Sequence, residues 1–258
     1  MFNLEALSLS RGTKCLLQNL NWRIAPGEVW GLLGANGTGK SSLLLAMAGL
    51  LRSGVQLSGY IQLNGLELQR VPPRQLARTL AYLPQEQRAD FPIRLRDWAM
   101  LSRYPHQGLW ASVSAQDHHR VDEVLAQTHL TALAARWVSE LSGGERQRLA
   151  LAGVLIQDTP WMLLDEPTNH LDIHYQMQLM PLLIEACQTR AGGMVVSLHD
   201  VNLAAQFCTH CLVLLGDGEY LAGPIAEVLT AEHISRLYRH PVTAWQTPAG
   251  WVFLPERV

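Results

Sequence analysis

The chain has 258 residues, of which 48% are apolar and 16% charged, a balance that suits a well-buried globular core and argues against disorder. A formal net charge of −2 supplies no cationic field to drive sequence-independent binding of nucleic acid or of an acidic membrane surface. The start, MFNLEALSLS, lacks the basic and long apolar regions of a secretion signal, and the longest apolar run, LLLAMAGLL, is too short to cross a bilayer, so the chain is expected to remain in the cytoplasm.

In chain order, LEALSL alternates like a strand, EVWGLLG is a short apolar run closing on glycine, and SSLLLAMAGLL has helical character. SGYIQLNGLEL reads as a hairpin turning at Asn64-Gly65, and TLAYLPQ as a strand stopped by Pro84. From about Arg94 to Val138 the apolar residues take helical spacing, as in DEVLAQTHLTALAARW. This is the expected helical subdomain, inserted into a core made of residues 1–93 and 139–258. WMLLDE and GGMVVSLHD follow, short apolar runs of the kind that form central parallel strands with helices on both faces. The tail holds a hairpin, CLVLLGDGEYLAG, a helix near AEHISRLYR and a strand-like GWVFLPE. The expectation is one α/β domain spanning residues 1–258, with a central, mostly parallel sheet and an antiparallel β subdomain. Four scattered cysteines fit reduced thiols. Cys208 and Cys211 make a lone C-x-x-C without a second pair, and His170 and His174 lack an obvious third ligand, so neither pair is read as a metal site.

GANGTGKS, Gly34 to Ser41, matches G-x-x-x-x-G-K-[ST] and falls between a predicted strand and a predicted helix, the context that pattern requires. Gly34, Gly37 and Gly39 let successive backbone N–H groups turn toward phosphate oxygens, aided by the dipole of the following helix. Lys40 should reach the β and γ phosphates, and Ser41 should place its hydroxyl on Mg²⁺. That ion needs a carboxylate from the end of another apolar strand, and WMLLDE offers Asp165, with Glu166 just beyond it where an attacking water could sit. Asp-Glu-Pro also suits a cap or a turn, but the phosphate loop otherwise lacks its metal partner. His199, at the end of MVVSL, lies on the same ligand-binding edge and could contact the γ-phosphate or orient Glu166. Gln85 has a short neutral side chain able to reach both metal and water.

LSGGERQR, Leu141 to Arg148, has two readings. Ser142 and Glu145 form an S-x-x-E capping box, which leaves unexplained two consecutive glycines in a first helical turn. Gly143 and Gly144 expose N–H groups that a phosphate can approach. The phosphates already have a cradle in the same chain, so a second copy, related by a two-fold axis, is the partner this motif implies.

Together these residues resemble the ATP-binding cassette ATPases. GANGTGKS is similar to their Walker A motif, Gln85 to the Q-loop, LSGGERQ to the signature motif, WMLLDE to Walker B, TNHLD to the D-loop and His199 to the switch histidine. The resemblance implies a homodimer with two composite ATP sites and Mg²⁺ held by Ser41, Gln85 and Asp165. It also implies that Glu166 is the general base, that Asn36, Thr38 and Ser42 join the nucleotide cradle, that Ser142, Gly143 and Gly144 act across the dimer, and that Asp172 couples the two sites. SRYPHQG, the long run from ELSGGERQR to TNHLDI, and the AEHISRLY tail resemble the ATPase subunits of importers for ferric siderophores, haem and cobalamin. That resemblance implies a separate membrane permease, served by a substrate-binding protein, with this subunit on the cytoplasmic face of the inner membrane. EQRADFPIRLRDW and the helical insert are the expected meeting point with the permease. A soluble cassette of a non-transport assembly, such as one for iron–sulfur clusters, is the alternative. The family commonly stacks an aromatic residue on adenine shortly after the first strand; Arg11 stands there in LSLSRGTKCLL.

Overall fold

Two long strands at the start build the first layer. β1 (Phe2–Arg11) and β2 (Lys14–Ile24) run antiparallel, with Arg11 opposite Lys14 across a two-residue turn. The computed structural model describes residues 1–51, 53–85, 92–107, 112–248 and 250–256. β2 has no counterpart among the sequence expectations. Its alternation is broken where Asn19 takes a φ of +51° and the register against β1 shifts, so the period-2 signal is lost at the point of reading.

β3 (Val29–Gly34) leads through residues 35–39 into α1 (Lys40–Met47). The helix stops earlier than its apolar run suggests. Gly49 turns left-handed at φ +70°, and the amides of Ala48, Gly49 and Leu50 close onto carbonyls of the last turn. β4 (Val55–Leu63) then pairs with β1, and β5 (Leu66–Glu67) folds back through Asn64-Gly65. Both turn residues have positive φ, the requirement of a type I′ hairpin. The resulting antiparallel sheet has the order β2-β1-β4-β5.

After α2 (Pro73–Thr79) and β6 (Leu80–Leu83) come α3 (Leu95–Leu101), α4 (Ala115–Gln127) and α5 (Gly143–Gln157), linked among the described residues by short 3₁₀ turns and loops. β7 (Trp161–Asp165), α6 (Ile173–Thr189), β8 (Gly193–Ser197), α7 (Val201–Phe207), β9 (His210–Gly216) and β10 (Glu219–Pro224) complete the second sheet. Its order is β10-β9-β3-β8-β7-β6, parallel except for β10 at the edge. β9 and β10 form the expected tail hairpin, and β9 is also a parallel partner of β3 in the main sheet. α8 (Ile225–Val228), α9 (Ala231–Tyr238) and the hairpin β11 (Val242–Thr247) and β12 (Gly250–Pro255) follow. Residues 86–91, part of the stretch expected to meet a permease, lie outside the described residues, as does Gly108 of the SRYPHQG motif.

Successive residues of the buried strands face opposite layers. In β7, Leu163 joins the apolar layer shared with α1 and the antiparallel sheet, while Met162 and Leu164 join the layer under α5, α6 and the helical segment. The strands therefore have no polar face, which is why they read as unbroken apolar runs. Cys208 and Cys211 sit in this core, where burial pushes the Cys208 thiol up to about 12 and raises Cys211 as well. The described residues hold no group of three or more His, Cys, Asp or Glu side chains that could hold a metal ion.

One buried ion pair fastens the helical segment. Arg103 Nε donates to Asp117 Oδ1 at 2.8 Å, and Arg103 Nη1 to the Ile156 carbonyl near the end of α5 at 3.0 Å. Asp117 also accepts from the Ser114 amide and hydroxyl, closing the capping box of α4. The hydrogen bond from Arg103 chiefly holds the Asp117 carboxyl at about 2, below the usual 3.8. Because the folded pKa is depressed, this contribution to stability is full above about pH 4 and is lost as pH falls toward 2. Asp117→Ala should lower stability by about 3 kcal/mol at pH 7, through the uncompensated Arg103, and should flatten the acid limb of stability against pH. Urea denaturation between pH 2 and 7 reads both effects.

Candidate active site

Three strand ends converge on one edge of the main sheet. Asp165 of β7 stands directly opposite Ser197 of β8, and Leu32 of β3 flanks Ser197 on the other side. In parallel sheets this carboxyl edge is where ligands bind.

The loop after β3 has the geometry of a phosphate cradle. Gly37 and Gly39 take φ of +76° and +111°, conformations that favour glycine, and Gly39 opens α1 without offering any side chain to cap it. At Gly34 the demand is one of space, since a Cβ there would lie 2.6 Å from Thr38 Oγ1. Thr38, in turn, donates to the Ala35 carbonyl and tightens the loop. Asn36 is exposed at its tip, and Ser41 and Ser42 are half-buried in the first turn of α1. Lys40 is 6% exposed, with Nζ donating to the Gly34 carbonyl at 2.7 Å. Burial lowers its pKa, opposed by the carboxylates of Glu166 and Asp165. Lys14, which the sequence reading missed, donates to the Gly37 carbonyl at 2.9 Å and ties the β1–β2 turn to the cradle.

The two acids are fixed by Ser197. Its hydroxyl donates to Asp165 Oδ1 at 2.6 Å and accepts from the Glu166 amide at 2.8 Å. Asp165 is 1% exposed, and its Oδ2 has no hydrogen-bond partner. Glu166 leaves the strand at φ +53°, a strained conformation for a side-chain-bearing residue that the surrounding bonds must hold. Its Oε2 accepts from Gln85 Nε2 at 2.9 Å and Asn169 Nδ2 at 2.5 Å, and its Oε1 lies 2.6 Å from His199 Nε2. Gln85, Asp165, Glu166 and His199 are therefore brought together. Asn169 and Ser197 were not singled out from the sequence. A lone hydroxyl residue in the apolar run MVVSL was the signal for Ser197; the Asn169 signal was its place three residues after Glu166.

The LSGGERQR segment lies differently. Ser142 caps α5 by accepting from the Glu145 amide at 3.3 Å, and Glu145 accepts from the Ser142 amide at 2.7 Å, so the capping box is real. That bond holds the Glu145 carboxyl below its ordinary range. Gly144 has a local reason after all: a Cβ would come within 3.0 Å of the His170 carbonyl. Gly143 has none of this kind, its nearest neighbour being His170 Cβ at 3.9 Å. Among the described residues, no hydrogen bond or ion pair joins Ser142, Gly143 or Gly144 to residues 34–42. Asp172 caps α6 by accepting from the Tyr175 amide at 3.0 Å.

A phosphate cradle at the end of one strand, with acids at the end of the next strand but one, is the arrangement of P-loop nucleoside triphosphatases. Comparison with known proteins takes the class to a family. The family model described as ABC transporter matches residues 17–169, and the chain belongs to that family, whose ATP-binding subunits are ATPases. The hemin import ATP-binding protein HmuV of Bordetella parapertussis is 39% identical over 241 residues, covering 90% of this chain and 89% of its own. The ferric enterobactin transport ATP-binding protein FepC of Escherichia coli is 36% identical over 235 residues, covering 91% and 85%. A solved inward-facing structure assigned to the metal-chelate type of ABC transporter superposes with a TM-score of 0.81 at 26% identity, covering 99% of this chain and 97% of its own.

Arg11 is exposed beside the Lys14 turn that touches the phosphate loop. A guanidinium stacks on either purine without distinguishing their edges. ATP and GTP should accordingly be hydrolysed with kcat/KM values equal within about threefold, and a strong ATP preference in steady-state assays would contradict a stacking Arg11.

Proposed function

We propose that this chain is the ATP-hydrolysing subunit that energises import of an iron chelate, a ferric siderophore or haem, through a membrane permease. The ligand classes come from the names of the relatives above; the chemistry rests on one observation, the Glu166 carboxylate fixed at three donors beside the phosphate loop. In this reading the subunit works as a homodimer on the cytoplasmic face of the membrane, under a permease fed by a substrate-binding protein. The helical segment from about Arg94 to Val138 faces that permease. No helix among the described residues is long and apolar enough to cross a membrane, which fits a peripheral seat.

The amides after Gly37 and Gly39 and the Lys40 ammonium bind and orient the triphosphate. Asp165 Oδ2, buried and unpartnered, fits a cation ligand, and with Ser41 and Gln85 it would hold Mg²⁺, which when bound offsets charge on the β and γ oxygens. Glu166 takes the proton of the attacking water at a carboxylate oxygen. Gln85, Asn169 and His199 keep that carboxylate aimed, and His199 Nε2 donates to it while it is ionised. Gly143, whose bareness local packing leaves unexplained, and the hydroxyl of Ser142 complete the site of a second copy, and Asp172 lies at the joint between the two sites. Binding energy gained as two ATP molecules close the dimer is what shifts the permease between its states.

Glu166→Gln should slow ATP hydrolysis by about 10²–10⁴-fold while leaving ATP binding intact, and should abolish uptake of labelled ferric siderophore or haem in a strain lacking the native gene. Wild-type turnover in that variant overturns the role of Glu166, and undiminished uptake overturns the role in import. Ser142→Trp should abolish hydrolysis without weakening ATP binding by the isolated monomer. Loss of binding by the monomer would show that Ser142 acts within its own chain.

A further inference from the structure

The C-terminal helix and hairpin meet the nucleotide site at the backbone of one residue. Tyr238, the last residue of α9, donates its hydroxyl to the His199 carbonyl at 2.9 Å. Its helix is seated on the core by Ile234 and Leu237, while Tyr238 itself is 44% exposed and the chain turns away at Arg239 with φ +52°. Burial, and the Asp200 carboxylate nearby, raise the Tyr238 pKa, so its hydroxyl stays a donor.

A second tie lies three residues on from His199. The Asn202 side chain accepts from the Phe253 amide at 2.8 Å and donates to the Phe253 carbonyl at 3.2 Å, acting as one extra rung on β12. Phe253 is itself buried. α7, which carries Asn202, is thus laced to the tail hairpin.

The His199 side chain is held far more loosely than its backbone. It is 45% exposed and lies 2.6 Å from Glu166 through Nε2. Where the imidazole can reach is set by its main chain, strung between Leu198, whose amide donates to the Leu32 carbonyl, and the tail. We propose that Tyr238 is a positioning residue for His199, and that the C-terminal helix and hairpin set the His199–Glu166 geometry from outside the nucleotide site. This rests on the reading of Glu166 and His199 given above. A displacement of a few tenths of an ångström at the His199 carbonyl shifts the imidazole relative to the carboxylate, because the ring is 45% exposed and follows its main chain.

The test is a double-mutant cycle on the full chain, with ATP hydrolysis and thermal unfolding measured for wild type, Tyr238→Phe, His199→Ala and the double variant. Tyr238→Phe keeps the ring and removes the donor. The expected result is a kcat lower by about three- to tenfold, the scale of one lost hydrogen bond, with KM for ATP and Tm unchanged. The double variant should be no slower than His199→Ala alone. Asn202→Leu, which removes the other tie, should reproduce the loss in kcat. A wild-type kcat in Tyr238→Phe overturns the proposal, as does a further loss of the same factor on top of His199→Ala. An Asn202→Leu variant altered only in Tm overturns the part assigned to the hairpin. Wild-type kcat in His199→Ala would instead remove the underlying role of His199, a failure distinct from that of Tyr238.

Discussion

The site depends on one hydroxyl. Ser197 reaches its neighbours because β7 and β8 pair in parallel with Asp165 opposite Ser197, so a single side chain can donate to the Asp165 carboxylate and accept from the next amide along. Two consecutive acids in a strand would point to opposite faces. Here the second leaves the strand, because the Glu166 backbone turns left-handed at the point where its N–H is captured. The strain of that turn is held by the bond to Ser197 and by three donors on the carboxylate. A register slip of one residue between β7 and β8 would carry Ser197 to the other face and release both acids together.

Burial sharpens what these bonds do. Glu166 is 6% exposed, and a carboxylate so far from bulk water needs its lone pairs met by the protein. Gln85 and Asn169 are neutral donors, so they orient the carboxylate without neutralising it as an arginine would. The Asp165 carboxylate is held on one oxygen and left open on the other. The proposed division of roles, proton transfer at one acid and a cation at the other, would be produced by environment alone, since the residues are chain neighbours.

How much of this was legible in the sequence follows from the range of the forces involved. The phosphate loop, the acid pair and the capping box at Ser142 are local patterns, each complete within a dozen residues, and the backbone adopts them where they were read. The apolar runs of β3, β7 and β8 were equally plain, because strands buried on both faces cannot alternate. Lys14, Ser197 and Asn169 were not, because their roles come from strand pairing and turn geometry that no spacing encodes. β2 was hidden by its own bulge at Asn19. The glycine pair meets a further demand that no spacing encodes: Gly144 answers to the His170 carbonyl, a contact made only once the turn after Glu166 is folded beside α5.

α5 is a single helix whose two ends answer to different parts of the chain. At its C-terminal end, Arg103, His106 and Arg120 of the helical segment all engage carbonyls between Leu155 and Gln157. Near its N-terminal end, Gln147 donates to the Pro167 carbonyl at 2.8 Å, in the turn that bears Asn169. The start of α5 is therefore held against the acid turn by Gln147 and by the close approach at Gly144, while Ser142 and Gly143 extend past that contact. The cap at Ser142 satisfies the Glu145 amide, which leaves the amides of the two glycines as the open donors of the helix start. A helix so anchored presents those donors in a fixed position relative to the turn from Pro167 to His170. Anything that binds them binds a surface already tied to the turn that bears Asn169.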